Sequence, residues 1–77
     1  MDLYERIMRN KHNVTPKQLI ELLESYGFKH RSTSGDHYLY KRAGYRPFPV
    51  PIRQNPLAIH IVQEALRMIE EIRELEQ

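Results

Sequence analysis

Three prolines at alternate positions limit the fold of this chain more than any other feature. Pro47, Pro49 and Pro51 interrupt an apolar run, about residues 45–53, that otherwise has the composition of a β-strand. Proline has no backbone N–H, so in sheets it is confined to edge strands or irregular positions. Because the three prolines share one parity, the residues between them can still pair with one neighbour. We therefore predict an edge strand, with the proline nitrogens facing away from the sheet.

Capping signals predict two helices in the first third of the chain. Asp2 is a suitable N-cap for a short helix over about residues 3–10. Thr15, a following proline and Gln18 form a capping box, which predicts a second helix over residues 16–26. The short helix has an apolar side, which we expect to dock on the body: Leu3, Tyr4, Ile7 and Met8.

A long amphipathic helix is predicted at the C-terminal end. Asn55 followed by Pro56 is a cap-then-proline pattern, so the helix is expected to begin at residue 56 and to run to about residue 74. Its solvent face offers pairing between Arg67 and the acids one turn later. Its apolar stripe consists of Leu57, Ile61, Val62, Ala65, Leu66, Ile69 and Ile72.

The middle of the chain has the pattern of a β-hairpin. Residues 28–33 and 37–41 are predicted strands, joined by a turn at Ser34-Gly35-Asp36. Side chains alternate between the two faces of a strand, and two aromatics favour the core face, so Tyr38 and Tyr40 are expected to point inward. The open face then carries His37, Leu39 and Lys41.

The predicted element order is α-α-β-β-β-α. The simplest solution is an α+β fold, a three-stranded antiparallel sheet with helices on one face, similar to the double-stranded-RNA-binding domain. We expect one domain over residues 1–77, with an N-terminal helical extension of about residues 1–12. The residues expected to be mostly buried are Leu22, Leu23, Tyr40, Val50, Val62 and Ile69.

Composition excludes several classes of protein. The 77 residues contain no cysteine, which excludes disulfides and thiolate metal sites. No stretch approaches the roughly 18 apolar residues that a membrane span needs, and the first residues lack the pattern of a signal peptide. No spacing of His, Asp and Glu resembles a metal site. We expect a cytoplasmic domain with neither metal nor small-molecule cofactor.

The charge is unevenly distributed along the chain. Residues 1–53 hold ten Lys and Arg against five Asp and Glu, whereas residues 54–77 hold two against five. A local excess of positive charge is typical of a phosphate-binding surface, but it also suits a sheet face kept in solution by Lys and Arg. The basic residues between 29 and 53 are Lys29, Arg31, Lys41, Arg42, Arg46 and Arg53.

The turn before the second strand carries the motif Gly35-Asp36-His37. A helix ending in Gly27-Phe28 precedes it; an aromatic at Tyr40, a proline-containing strand and a closing helix follow it. From Asn13 to Ile72 this order and spacing resembles the HicA toxin family, small bacterial ribonucleases whose functional histidine lies in a Gly-Ser-His motif. Two positions differ: aspartate replaces the usual serine, and Tyr38 stands where a second histidine is common.

The resemblance implies a specific function. It implies the toxin of a toxin–antitoxin pair, an endoribonuclease (mRNA interferase) that cleaves mRNA and is held inactive by a HicB-like antitoxin. By position, His37 corresponds to the functional histidine of the family and would act as general acid or base.

Metal-free RNA cleavage sets further requirements on the site. It needs a base for the ribose 2′-OH, an acid for the leaving 5′-oxygen and cations around the phosphate. A histidine can supply either proton role but not both in one step, and the second group is not evident from the sequence. Lys41, on the same strand face as His37, is the expected phosphate partner. The candidate phosphate-binding residues are Lys41, Arg31, Arg46, Arg53 and Lys29.

Two other functions fit the same residues. The basic face could bind RNA without cleaving it, or the sheet could dock an acidic protein partner. Dependence of activity on His37 would favour the ribonuclease, and RNA affinity without cleavage would favour the binding module. The other histidines, His12, His30 and His60, are expected to face solvent.

Overall fold

A computed structural model describes residues 2–76. Over this range the chain forms three α-helices and one three-stranded antiparallel sheet, as predicted. No helix within these residues is long and apolar enough to cross a membrane. The elements are α1 (Leu3–Arg9), a 3₁₀ turn (Lys11–Asn13), α2 (Pro16–Ser25), β1 (Lys29–Ser34), β2 (His37–Lys41), β3 (Phe48–Pro51) and α3 (Ile59–Leu75).

The capping signals position α1 and α2 as expected. The Asp2 side chain accepts a hydrogen bond from the Glu5 N–H at 2.9 Å. Thr15 Oγ1 accepts from the Gln18 N–H at 3.1 Å, and Gln18 Oε1 accepts from the Thr15 N–H at 2.9 Å. This reciprocal capping box satisfies two of the N–H groups that a helix start leaves without a partner.

The proline strand lies at an edge, which confirms the parity argument. The strand order is β1-β2-β3, and Val50 and Pro49 lie opposite Tyr38 and Leu39 of β2. Just after the strand, the Ile52 N–H donates to the carbonyl oxygen of Asp36 at 2.9 Å, so the N–H groups at the even-numbered positions face the sheet. Pro49 and Pro51 lie at the odd-numbered positions, where an N–H would face away from the sheet and the missing donor is not needed.

The strand is shorter than predicted at both ends. Pairing begins only at Phe48, so Pro47 precedes the strand rather than lying within it. The reason is a turn, in which the Tyr45 N–H donates to the carbonyl oxygen of Arg42 at 3.0 Å and diverts the chain before β3.

The predicted start of the last helix was wrong. The helix begins at Ile59, after an extended Ala58, and Asn55-Pro56 lies in the preceding loop. A tertiary hydrogen bond explains the difference: the Leu57 N–H donates to the carbonyl oxygen of Val14 at 2.8 Å, and Leu57 is buried. These contacts keep residues 57 and 58 outside the helix, and the local cap-then-proline pattern cannot override them.

The core lies between the helices and the face of the sheet that carries Tyr40, Phe48 and Val50. The six residues that the sequence predicted to be buried are indeed buried. Their exposed fractions run from 0% to 5%: Leu22, Leu23, Tyr40, Val50, Val62 and Ile69. Met8 differs from the prediction, since it is 40% exposed although it was placed on the apolar side of α1.

Arg73 of α3 joins α1 to the body of the domain. Its guanidinium lies 4.2 Å from the centre of the Tyr4 ring and donates to the Tyr26 hydroxyl at 2.9 Å. Asp2 Oδ2 lies 3.8 Å from the same guanidinium. Burial, and then the nearby carboxylate of Glu70, raise the pKa of Tyr4, so its phenol stays neutral beneath the cation. These contacts of Arg73 add to the burial of Ile7, which anchors α1 in the core.

Candidate nucleic-acid interface

Strand β1 and the turn after it extend beyond the helical layer. Every residue from Lys29 to His37 is exposed, including all six residues of β1. By contrast, Tyr40 in the neighbouring strand is buried. The helices therefore cover β2 and β3 but leave β1 accessible on both faces. A surface open on both sides can contact a long, flexible ligand such as single-stranded nucleic acid.

His37 is exposed at the first position of the central strand. It lies opposite Ser34 of β1 on one side and Pro51 of β3 on the other. Alternation along β2 places it on the open face together with Leu39 and Lys41, as the sequence predicted. Solvent and a bound ligand can therefore reach the imidazole.

The turn before His37 is held to the residues just after β3 by a hydrogen bond and an ion pair. Gly35 has a φ of +57°, at the first central position of a two-residue hairpin loop, where glycine is favoured. The Asp36 carbonyl accepts the hydrogen bond from Ile52, and Asp36 Oδ1 lies 3.2 Å from Arg53 Nε. Arg53 is thus paired with the residue next to His37, a juxtaposition that depends on β2–β3 pairing and is not visible in the sequence.

The Asp36–Arg53 pair is weak but matters for the local charge. The two side chains are 58% and 81% exposed, so solvent screens their attraction. Such pairs contribute about 0–1 kcal/mol to stability. The nearby guanidinium nevertheless offsets the negative charge that aspartate introduces beside His37.

Lys41 shares a face with His37 but lies at the other end of β2. Four residues of strand span about 13 Å, so the two side chains cannot contact one phosphate together. Lys41 lies opposite Lys29 of β1. Like charges directly opposite each other destabilise a sheet, so an anion bound between the two lysines would relieve their repulsion.

Arg31 and Arg46 do not lie beside His37. Arg31 is exposed and has no Cα partner in β2, because the register shifts between His30 and Ser32. Arg46 lies in the loop before β3, where its Nη2 donates to Glu64 Oε1 of α3 at 2.6 Å. The six candidates therefore divide into His37 with Arg53, the Lys29–Lys41 pair, Arg31 at the edge, and Arg46 on the helical side.

Arg42, part of the basic excess, has a structural role. Its Nη1 donates to the Tyr26 carbonyl oxygen at 2.9 Å, its Nη2 pairs with Glu76, and its guanidinium lies 5.4 Å from the centre of the Tyr45 ring. Glu76 belongs to the acidic C-terminal segment. Part of the charge asymmetry seen in the sequence is therefore neutralised within the fold.

An aromatic cluster that the sequence did not predict lies on the helix-side face of the hairpin. The His30 ring centre is 4.9 Å from that of Tyr38 and 5.5 Å from that of Tyr40. His30 Nε2 also lies 3.1 Å from Thr33 Oγ1. His30 is exposed, as expected, but its contacts depend on a strand register that composition does not reveal. Burial, followed by Glu24, raises the pKa of Tyr40, so that hydroxyl does not supply the missing proton carrier near neutral pH.

Other observations on function are few. Within residues 2–76, no three His, Asp or Glu side chains are grouped as a metal site requires. Comparison of the chain with protein-family models, with curated proteins and with solved structures found no match. The resemblance of the Gly35-Asp36-His37 motif to HicA toxins therefore stays a prediction.

Proposed function

We propose that this protein is the toxin of a toxin–antitoxin pair, a HicA-like endoribonuclease that cleaves mRNA with His37 as general acid or base. The observation that supports it best is the position of His37. His37 is exposed at the start of the central strand, directly after a turn whose Asp36 accepts a hydrogen bond from Ile52 and pairs with a cation, Arg53. A titratable group and a cation at an accessible hairpin are two of the groups that metal-free phosphodiester cleavage uses, one for proton transfer and one for the charge of the phosphate.

The reaction that suits this site uses the RNA itself as nucleophile. The ribose 2′-oxygen attacks the adjacent phosphorus, a bond forms between them, and the bond from phosphorus to the 5′-oxygen breaks. The products are a 2′,3′-cyclic phosphate and a 5′-hydroxyl. His37 takes the proton of the 2′-OH or gives one to the leaving 5′-oxygen, the other proton is exchanged with solvent water, and Arg53 stabilises the charge on the phosphate in the transition state.

The partner and the location follow from this proposal. An mRNA-cleaving toxin acts in the cytoplasm, and a HicB-like antitoxin would silence it by covering His37. The open face carries Lys29 and Lys41, so an antitoxin that competes with RNA there would present acidic side chains. Co-expression of an antitoxin-like neighbour that restores growth would support this pairing.

Binding without cleavage is the second candidate function. It is favoured by the neighbours of His37: across the sheet these are Ser34 and Pro51, and neither is a conventional acid or base. In that case the basic hairpin would hold RNA without chemistry. RNA affinity of the purified protein, with no cleavage in a broad set of RNAs, would favour this alternative.

The decisive test is cleavage by the His37→Ala protein. We expect the wild-type protein to cut RNA and the variant to lose both cleavage and toxicity while keeping its fold, because an exposed side chain contributes little to packing. His12→Ala, at another exposed histidine, is the matched control and should remain active. A chelator should not inhibit, and a 2′-deoxy substitution 5′ of the cut should block the reaction. Cleavage that persists in folded His37→Ala protein, with contaminating nuclease excluded, would refute the proposed role.

A further inference from the structure

We infer that His30 and Tyr38 form a stacking subsite for a base of single-stranded RNA, on the face of the hairpin opposite to His37. The inference rests on the proposed function only in taking RNA as the ligand. It adds a second contact point, defined by His30, Thr33 and Tyr38, which we call the stacking subsite.

The geometry of the stacking subsite is that of an aromatic platform. The His30 and Tyr38 ring centres are 4.9 Å apart, with 37° between their planes. The hydrogen bond between His30 Nε2 and Thr33 Oγ1, at 3.1 Å, fixes the imidazole in that orientation. Because His30 is exposed on a strand that the helices do not cover, one face of its ring is accessible to a ligand. A base that stacks on the accessible face of His30 would lie on a ring that already packs against Tyr38 on its other side.

The charge around the stacking subsite favours a nucleic acid. Lys29 and Arg31 flank His30 in the chain, both are exposed, and neither forms an ion pair within residues 2–76. Cations beside an aromatic surface are the usual combination in proteins that bind single strands. Bases within a duplex are already stacked, so the subsite suits unpaired RNA.

The strand register connects the stacking subsite to the proposed catalytic residue. Thr33–Tyr38 and Ser34–His37 are successive pairs of the hairpin. Successive side chains point to opposite faces, so Tyr38 and His37 are neighbours in the chain on opposite sides of the sheet. An RNA strand that passes around the exposed turn would bring one nucleotide to His37 and place a flanking base against His30.

Shielding of the tyrosines from water is the other role that His30 could have. That role predicts a loss of stability on substitution, with no loss of RNA affinity beyond it. His30→Leu distinguishes the two, because leucine still covers Tyr38 and Tyr40 but has no aromatic face. His30→Phe restores an aromatic face without a charge or a hydrogen bond.

The test measures RNA binding in a His37→Ala parent, which prevents cleavage during the titration. The probes are short single-stranded RNAs with one 2-aminopurine, whose fluorescence falls when the base stacks. We expect His30→Leu to bind about 5- to 150-fold more weakly than the parent and to lose the quenching, since stacking on one aromatic side chain contributes that much. His30→Phe should stay within about threefold of the parent. The salt dependence should be unchanged in both variants, and His12→Leu is the matched control.

The results separate this inference from the proposed catalysis. Equal affinity and quenching in the parent and in His30→Leu would overturn the stacking subsite, as would equal weakening by Leu and Phe or no binding of any probe. Cleavage is assayed separately with wild-type protein. Absence of cleavage together with His30-dependent quenching would refute catalysis and retain the subsite. Cleavage whose KM is unaffected by His30→Leu would retain catalysis and overturn the subsite.

Discussion

At the scale of single residues, the Asp36–Arg53 pair decides how an aspartate can be tolerated beside the proposed catalytic histidine. A carboxylate next to a phosphate site repels the ligand, but Arg53 Nε lies 3.2 Å from Asp36 Oδ1 and offsets that charge. The exchange of partners on binding is inexpensive, since an exposed pair contributes about 0–1 kcal/mol. The guanidinium can therefore turn from Asp36 to a phosphate.

Substitutions at the two positions should have opposite effects on the reaction with RNA: loss of Arg53 should weaken it and loss of the Asp36 charge should strengthen it. We expect Arg53→Ala to lower kcat/KM by about tenfold or more, because a cation near the reacting phosphate is lost. Asp36→Ser should raise RNA affinity by a few fold. The free energy of unfolding of both variants should lie within about 0.5 kcal/mol of the wild-type value. Arg67→Ala, an exposed cation on α3, is the control for net charge. An Arg67 variant as impaired as the Arg53 variant would mean that only overall charge matters.

At the scale of elements, the sequence predicted the helices and strands whose positions depend on residues close together in the chain. The capping box at Thr15 and the parity of the prolines gave α2 and the edge strand, because each depends on neighbours in the chain. The start of α3 could not be predicted, since the Leu57 N–H bonds to Val14, more than forty residues away in sequence. The contacts of His30 and Arg53 were missed for the same reason, because strand register brings their partners together.

Truncation of Leu23 in α2 tests the assigned core. Leu23 is 0% exposed, so Leu23→Ala should lower the free energy of unfolding by about 2–5 kcal/mol. Met8→Ala is the matched control, because Met8 is 40% exposed on α1 and its loss should cost less than about 0.5 kcal/mol. Urea titration followed by circular dichroism measures both. Equal losses for the two variants would show that the apolar faces of the helices are misassigned.

At the scale of the whole molecule, the fold pairs some of the basic residues with the acidic C-terminal segment and leaves the cations of the sheet on the surface. Ion pairs connect the loop after β2 to α3 and to the residue that follows it, through Arg46 with Glu64 and Arg42 with Glu76. The cations of the sheet, Lys29, Arg31 and Lys41, form no ion pair within residues 2–76. Positive potential therefore concentrates on the open sheet and its free edge, where it would steer a polyanion towards the hairpin.

The salt dependence of RNA binding tests this distribution of charge. Each phosphate contact to single-stranded nucleic acid contributes about 0.7 to the slope of log K against log salt concentration. The double variant Arg31→Ala/Lys41→Ala should therefore have a slope smaller in magnitude by about 1.4, because it removes one cation from the edge of the sheet and one from its open face. Arg9→Ala/Lys17→Ala removes two exposed cations from the helical side and should leave the slope unchanged. The opposite result, a flatter slope only in the Arg9/Lys17 protein, would place the RNA along the helices and not across the sheet.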